Sequence, residues 1–212
     1  MAKKILKENW IYLLIIAVLI IIMSIIMRSS LSEKISLFDH KVIDFIKNIH
    51  NDSIISFFKI LTNFGDFYIP CVILVCILIF VKNKLVFLLQ GSGYLFAGIL
   101  TYISKLIVAR PRPIEALIKL PKSYSFPSGH TLTSFVFYMI LLYLLTYKKS
   151  TKTKFIFVVI GTILSLLVAF SRVYLGVHYF SDVVGGVILA VPCVLMIKNV
   201  INKNFDKKLL GK

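Results

Sequence analysis

Long apolar runs interrupted by short polar blocks dominate this chain. A hydrocarbon core about 30 Å thick takes about 20 apolar residues to cross as a helix. Six stretches answer to that description, near Trp10 to Met27, Phe67 to Val81, Leu85 to Val108, His130 to Tyr147, Phe155 to Phe170 and Asp182 to Asn199. They predict an all-α, polytopic membrane protein with six transmembrane helices. Between the first two spans the rhythm changes. From Leu37 to Leu61 apolar residues recur at helical spacing (Phe38, Val42, Phe45, Ile46, Ile49, then Ile54, Phe57, Phe58) with polar residues between them. That pattern predicts one or two amphipathic helices lying at the membrane interface, which either guide a lipid or cover the bundle's outer end.

Composition agrees with a membrane protein: 58% of the 212 residues are hydrophobic and only 16% are charged, too apolar for an ordinary soluble domain. The formal net charge of +16 is spread between the spans and forms no single basic face, which argues against nucleic acid as a partner. Lys3, Lys4 and Lys7 precede the first span like the start of a signal peptide, but the apolar run is too long and lacks a small-residue cleavage site, so it reads as an uncleaved anchor. Cytoplasmic loops carry the excess of Lys and Arg. The amino terminus, the Lys82 to Lys84 turn, the Lys148 to Lys154 loop and the tail from Lys198 to Lys212 fall on one side, which predicts both termini in the cytoplasm of a cell-membrane protein. Arg28, Lys34, Lys41, Lys47 and Lys59 fall on the other side and oppose the rule without overturning the balance. Cys71, Cys76 and Cys193 lie inside apolar runs and imply neither a disulfide nor a metal framework. Gly91, Gly93 and Gly98, with Gly185, Gly186 and Ala190, are small residues that let helices approach closely. No repeat or second domain is evident, so residues 1–212 are expected to form one domain.

Three polar blocks interrupt the spans and all fall on the extracytoplasmic side: Lys105 to Pro113, Pro127 to His130 and Ser171 to Asp182. Charges at the edge of a membrane span are costly to keep without a task. Lys105 and Arg112 flank a segment that Pro111 prevents from continuing as helix, so both cations can face one anion. Snorkelling to lipid headgroups is the structural alternative. Ser128 and Gly129 open the fourth span, where backbone N–H groups and the helix dipole favour an anion, and His130 follows as a proton donor. An N-cap serine with a packed histidine is the plain reading of the same residues. Arg172 closes the fifth span, and His178 and Asp182 stand four apart, on one face of a helix, where the acid can fix the imidazole for nucleophilic work or simply pair with it. Asp182 is the only acid in the blocks, so no carboxylate cluster is available for magnesium and neither a metal nor a cofactor is expected.

In order and at every defined position the blocks match K-x6-R-P, P-S-G-H and S-R-x5-H-x3-D. The chain thereby resembles the type 2 phosphatidic acid phosphatase superfamily, the lipid phosphate phosphatases related to glucose-6-phosphatase and vanadium haloperoxidases. The resemblance implies that family's helical core and a role for each matched residue. His178 would attack phosphorus and form a phosphohistidine, and Asp182 would orient it. His130 would protonate the leaving group and later activate water. Lys105, Arg112, Arg172, Ser128 and Gly129 would bind the phosphoryl oxygens. Arg110 lies outside the signature, and Ser171 reads mainly as support for the turn.

The expected activity is hydrolysis of a phosphomonoester or diphosphate on a lipid at the outer membrane face. The short loop from Ile114 to Phe126 leaves little protein to enclose a large soluble substrate. Undecaprenyl diphosphate, phosphatidylglycerol phosphate and phosphatidic acid are not separated by the sequence. A lipid phosphotransferase with the same site is the first alternative, and a transporter or scaffold with structural polar blocks is the second. Membrane lipids and the lipid phosphate are the expected partners, with no obligate protein partner evident.

Overall fold

In the computed structural model the backbone of residues 2–209 and the side chains of residues 7–203 are described. Lys3, Lys4 and the tail cations beyond Lys203, which entered the topology argument, have side chains outside the described residues. The element order is α1 (Ala2–Ile26), α2 (Leu31–Asn48), α3 (Asp52–Leu61), a 3-10 turn (Thr62–Gly65), α4 (Tyr68–Phe80), α5 (Lys84–Val108), α6 (Gly129–Leu145), α7 (Thr151–Tyr174) and α8 (Phe180–Leu209). The polar residues between the runs begin several helices as N-caps. The side chains of Asn51, Asn83 and Ser150 accept from the backbone N–H groups of Ser53, Leu85 and Thr153.

Among the described residues four helical segments are long and apolar enough to cross a membrane, Lys7–Ile26, Lys84–Val108, Thr151–Tyr174 and Phe180–Lys203. A fifth is reached if Asp52–Gly65 and Tyr68–Phe80, which meet at 46°, form one broken span. The protein is therefore a multi-pass membrane protein, and two of the six expected spans fall short of the length that these segments reach. The second and fourth expected spans are the short ones. α4 has 13 residues, about 20 Å at 1.5 Å per residue, because Lys82, Asn83 and Lys84 stop its apolar run. α6 has 17 residues and packs against α5, α7 and α8, which cover it nearly all round. It has no need of a lipid-facing stripe, and its apolar residues run around the whole helix.

The main core gathers Ala97, Leu100, Leu132, Val136, Ile140, Leu189 and Cys193 from α5, α6 and α8. Close approach depends on particular glycines. A Cβ at Gly185 would lie 2.3 Å from the buried Phe126 ring, and one at Gly93 would lie 3.0 Å from Ile197. Gly98 meets nothing within 4 Å and Gly91 makes only ordinary contact, so the small residues of α5 bring helices together at Gly93. Polar ties add to this packing: Gln90 Nε2 donates to the Phe137 carbonyl oxygen (2.8 Å), and Asn199 Nδ2 donates to Asn9 Oδ1 (2.9 Å).

The amphipathic segment forms two helices. α3 docks through Phe58, whose ring centroid lies 4.6 Å from that of Tyr174 and 5.5 Å from that of Phe170. α2 turns Asp39 and Ile46 inward and leaves Leu37, Phe38 and Phe45 exposed. Two of the cations that oppose the charge rule have local partners here. Arg28 donates to Ser24 and to the Ile107 carbonyl at the end of α5, and Lys47 pairs with Glu115 at 2.5 Å.

Candidate active site

The end of α5, the start of α6, the α7–α8 turn and the inner face of α2 meet at one end of the bundle. α5 ends on Ala109, a left-handed residue (φ 54°) whose N–H donates to the Lys105 carbonyl oxygen. The chain then reverses, and Pro111 and Pro113 keep the next residues extended. This carries Arg110 and Arg112 back over the helix end. α7 ends in a turn through Gly176 (φ 69°), where a Cβ would stand 2.4 Å from the Glu115 carbonyl oxygen, so only glycine fits. The Arg172 carbonyl oxygen accepts from the N–H groups of Val177 and His178 and holds the turn.

His178 is almost fully buried and sits before α8 begins, so the four-residue spacing acts across a helix start and not along one helical face. Asp182 turns back to accept from the Tyr179 N–H (2.9 Å) in the manner of a capping residue, and this brings Oδ2 to 3.3 Å from His178 Nδ1. With the acid at Nδ1, the neutral ring carries its proton there and leaves the Nε2 lone pair outward. Arg112 Nη1 lies 3.2 Å from Nε2. Burial, reinforced by the Lys105 and Arg112 charges and opposed by the bond to Asp182, lowers the His178 pKa to about 3, so the ring is neutral at pH 7.

The matched cations are held by neutral groups. Lys105 Nζ donates to the carbonyl oxygens of Tyr124 and Ser125. Arg112 donates to the Ser123 and Val177 carbonyl oxygens, and burial lowers its pKa, offset in part by Asp182. Arg172 is 3% exposed, donates from Nη1 to Thr62 Oγ1 (2.6 Å), and leaves its buried Nε without a partner. Among the described residues none of the three forms an ion pair with a carboxylate. Arg110 differs: it donates to Asp182 Oδ1 and to Asp39 Oδ2, each at 2.7 Å, and these two acids keep its pKa raised against the effect of burial.

Ser128 precedes α6 without capping it; its hydroxyl accepts from Thr131 Oγ1 (2.9 Å) and its N–H donates to the Asp182 carbonyl oxygen (3.0 Å). A Cβ at Gly129 would lie 3.1 Å from Thr101 and 4.0 Å from Lys105 Cε, so the glycine brings the helix start beside that cation. His130 follows in the first turn, with Gly65 of the 3-10 turn against its ring: a Cβ there would lie 3.2 Å from His130 Cδ2. Ser171 Oγ donates to the Val168 carbonyl oxygen (2.6 Å) and serves its own helix. The three blocks thus converge at one place.

Four residues outside the blocks also belong to the cluster. Ser125 Oγ donates to Asp182 Oδ2 and lies 3.3 Å from His178 Nδ1. Asp39 receives Arg110, Thr62 receives Arg172, and Gly65 borders His130. Of these, only Ser125, two residues before the second block, carried a sequence signal, and that signal was proximity alone.

Comparison with known proteins agrees with this arrangement. Residues 87–206 match the model of the PAP2 superfamily. The chain is 31% identical over 153 residues to phosphatidylglycerophosphatase B of Bacillus subtilis, covering 68% of this chain and 70% of that one. It is 30% identical over 135 residues to undecaprenyl-diphosphatase of Sulfolobus acidocaldarius, covering 61% and 62%. The fold matches the crystal structure of a transmembrane PAP2 type phosphatidylglycerolphosphate phosphatase from Bacillus subtilis with a TM-score of 0.79 at 24% identity, over 90% of this chain and 96% of that one. LpxE of Aquifex aeolicus matches with a TM-score of 0.56 at 24% identity, over 74% and 93%. With more than half of its length inside the family model and these relatives beside it, the chain belongs to the PAP2 superfamily, among its lipid phosphatases.

Proposed function

We propose that the whole chain acts as one phosphatase domain, hydrolysing a phosphomonoester or diphosphate on a lipid through a phosphohistidine at the outer face of the cell membrane. The observation that carries this reading is the cluster of Lys105, Arg112 and Arg172, which have no carboxylate partner among the described residues and stand around a buried neutral imidazole. Unpaired cations in low dielectric attract an anion strongly, and an unpartnered guanidinium N–H favours an oxygen acceptor.

In the proposed reaction Lys105, Arg112, Arg172 and the first N–H groups of α6 hold the three phosphoryl oxygens. The His178 Nε2 lone pair attacks phosphorus. The bond from phosphorus to the lipid oxygen breaks, its electron pair leaves with that oxygen, and His130 supplies the proton. Asp182 keeps the Nδ1 proton and offsets the positive charge that develops on the ring. His130, now neutral, takes a proton from water as the water oxygen attacks phosphorus. The N–P bond breaks, its electrons return to His178, and inorganic phosphate leaves. The cations supply the charge stabilisation that metal ions supply in other phosphatases, so turnover is expected to persist in EDTA.

The relatives' names support a lipid diphosphate or phosphatidylglycerol phosphate as substrate, with phosphatidic acid as a third choice. The test is a panel of these three lipids presented to purified protein in detergent, with phosphate release measured for wild type and His178→Ala. Release from at least one lipid, abolished in a well-folded His178→Ala, is the expected result. Near-normal release by that variant would overturn the nucleophile assignment, and release only on addition of a lipid alcohol would mark a phosphotransferase.

A further inference from the structure

Of the nine acidic residues in the chain, only Asp39 and Asp182 are buried among the described residues, and both are fully so. Asp39 lies on α2, far in sequence from all three blocks. A buried carboxylate is costly unless paired and hydrogen-bonded. Asp39 is well provided: Oδ2 accepts from Arg110 Nη2 (2.7 Å) and Ser181 Oγ (2.5 Å), and Oδ1 accepts from the Ser181 N–H (2.9 Å). If α2 needed only an anchor, an apolar residue would serve, as Ile46 does about two turns further along the same face. A cavity of about 320 Å³ opens between α2 and residues Glu115 to Leu117, so α2 is held at separate points and not by continuous packing.

The far side of Arg110 shows what the pairing does. Its Nη1 donates to Asp182 Oδ1 and to Ser181 Oγ, each at 2.7 Å. One planar guanidinium therefore spans two carboxylates, one nitrogen to each. The Tyr179 ring lies against it, 4.1 Å from Cζ to centroid, and fixes its plane. With Oδ1 of Asp182 held by Arg110, Oδ2 is the oxygen that faces His178 Nδ1.

We propose that Asp39 is a positioning residue for catalysis: through Arg110 it sets the orientation and charge of Asp182, and so ties the amphipathic helix α2 to the nucleophile. Two physical effects carry this. Asp39 stops Arg110 from closing on Asp182 with both nitrogens, which would draw Oδ2 away from His178. It also leaves the two carboxylates and one guanidinium with a net negative charge facing the ring. If Asp39 becomes neutral that set becomes neutral, and the imidazolium formed during attack loses its counter-charge. The proposal rests on the reading of His178 and Asp182 given under Proposed function.

The experiment compares Asp39→Asn, Arg110→Gln, their double variant, Phe38→Ala and His178→Ala on one lipid phosphate, with kcat and KM measured separately. Partners that orient a reacting histidine typically change activity about 10- to 100-fold, and a loss of that size is expected in kcat for Asp39→Asn, with KM little changed. The double variant should lose less than the product of the two single losses, because the orienting effect of Asp39 runs through Arg110. Phe38→Ala removes the edge contact of α2 with Phe180 (5.8 Å between centroids) and leaves the acid pair untouched, so its kcat should stay near wild type. Should Asp39→Asn fail to accumulate, Arg110→Lys carries the same test, since it keeps the charge and loses the two-pronged span. Unchanged kcat in Asp39→Asn, losses that multiply in the double variant, or an equal loss in Phe38→Ala would each overturn the proposal. If instead His178→Ala remains active, the underlying reading fails, and the two failures are thereby told apart.

Discussion

The burial of His178 has a pH consequence that separates it from an ordinary histidine. An exposed imidazole with a pKa near 6.5 is only about 3% neutral at pH 5, so a nucleophile of that kind would lose roughly 30-fold in rate between pH 8 and pH 5. Burial holds His178 at a pKa of about 3, and the ring should stay almost wholly neutral over that range. Turnover by wild type does not isolate this, because in the proposed reaction His130 carries a proton in one step and loses it in the next. His130→Ala with p-nitrophenyl phosphate removes that complication, since this leaving group needs little protonation. The measurement is the rate of labelled-phosphate incorporation into this variant by rapid quench, corrected for the titration of the substrate itself. It should show no such fall from pH 8 to pH 5. The sign for stability follows from the same depression: below pH 6.5 the unfolded chain takes up a proton that folded His178 refuses. Its contribution is therefore complete above pH 6.5 and falls by about 1.4 kcal/mol per pH unit towards pH 3. An incorporation rate that falls on acidification with a midpoint near pH 6.5 would refute both the burial argument and the neutral nucleophile.

Ser125→Ala removes a hydroxyl that donates to Asp182 Oδ2; a hydrogen bond to a charged group contributes about 1.5–3 kcal/mol to stability, so the thermal midpoint in detergent should fall, and kcat in steady-state phosphate release should fall as Asp182 loses a fixed orientation. Ala109→Gly relieves a left-handed residue at the end of α5, which costs an L-residue about 1–2 kcal/mol, and should raise the thermal midpoint in detergent; a lower midpoint would contradict the strain argument. Sidedness can be read from single cysteines in a background lacking Cys71, Cys76 and Cys193. Lys122→Cys should react with an impermeant maleimide in intact cells and Lys149→Cys only after the membrane is opened, while the reverse pattern would move the chemistry to the cytoplasm.

How much of this could be read from the sequence depends on which physical signal each residue carries. The long spans were legible because 18 or more apolar residues in a row have few other uses. The convergence of the three polar blocks was legible because cations and histidines beside such runs are rare and here come at fixed spacings. Span length was less so: α4 and α6 are short, and the sequence does not state that α6 is sheltered by three neighbours or that α4 meets the preceding helix at a bend. The residues that were not legible are the single polar side chains that reach across the fold, Thr62 to Arg172, Ser125 to Asp182 and Asp39 to Arg110. Asp39 shows the reason most clearly. In a soluble protein the apolar face of an amphipathic helix turns inward, so an acid between Phe38 and His40 reads as solvent-facing. At a membrane interface hydrocarbon also lies outside, so apolar residues serve on both sides of the helix: Leu37 is 65% exposed and Phe45 64%, while Ile46 is 3% and Asp39 0%. Because lipid accepts Leu37, Phe38 and Phe45, apolar periodicity no longer marks the inward side of α2, and a carboxylate can stand there beside Ile46 and reach the guanidinium that also binds Asp182.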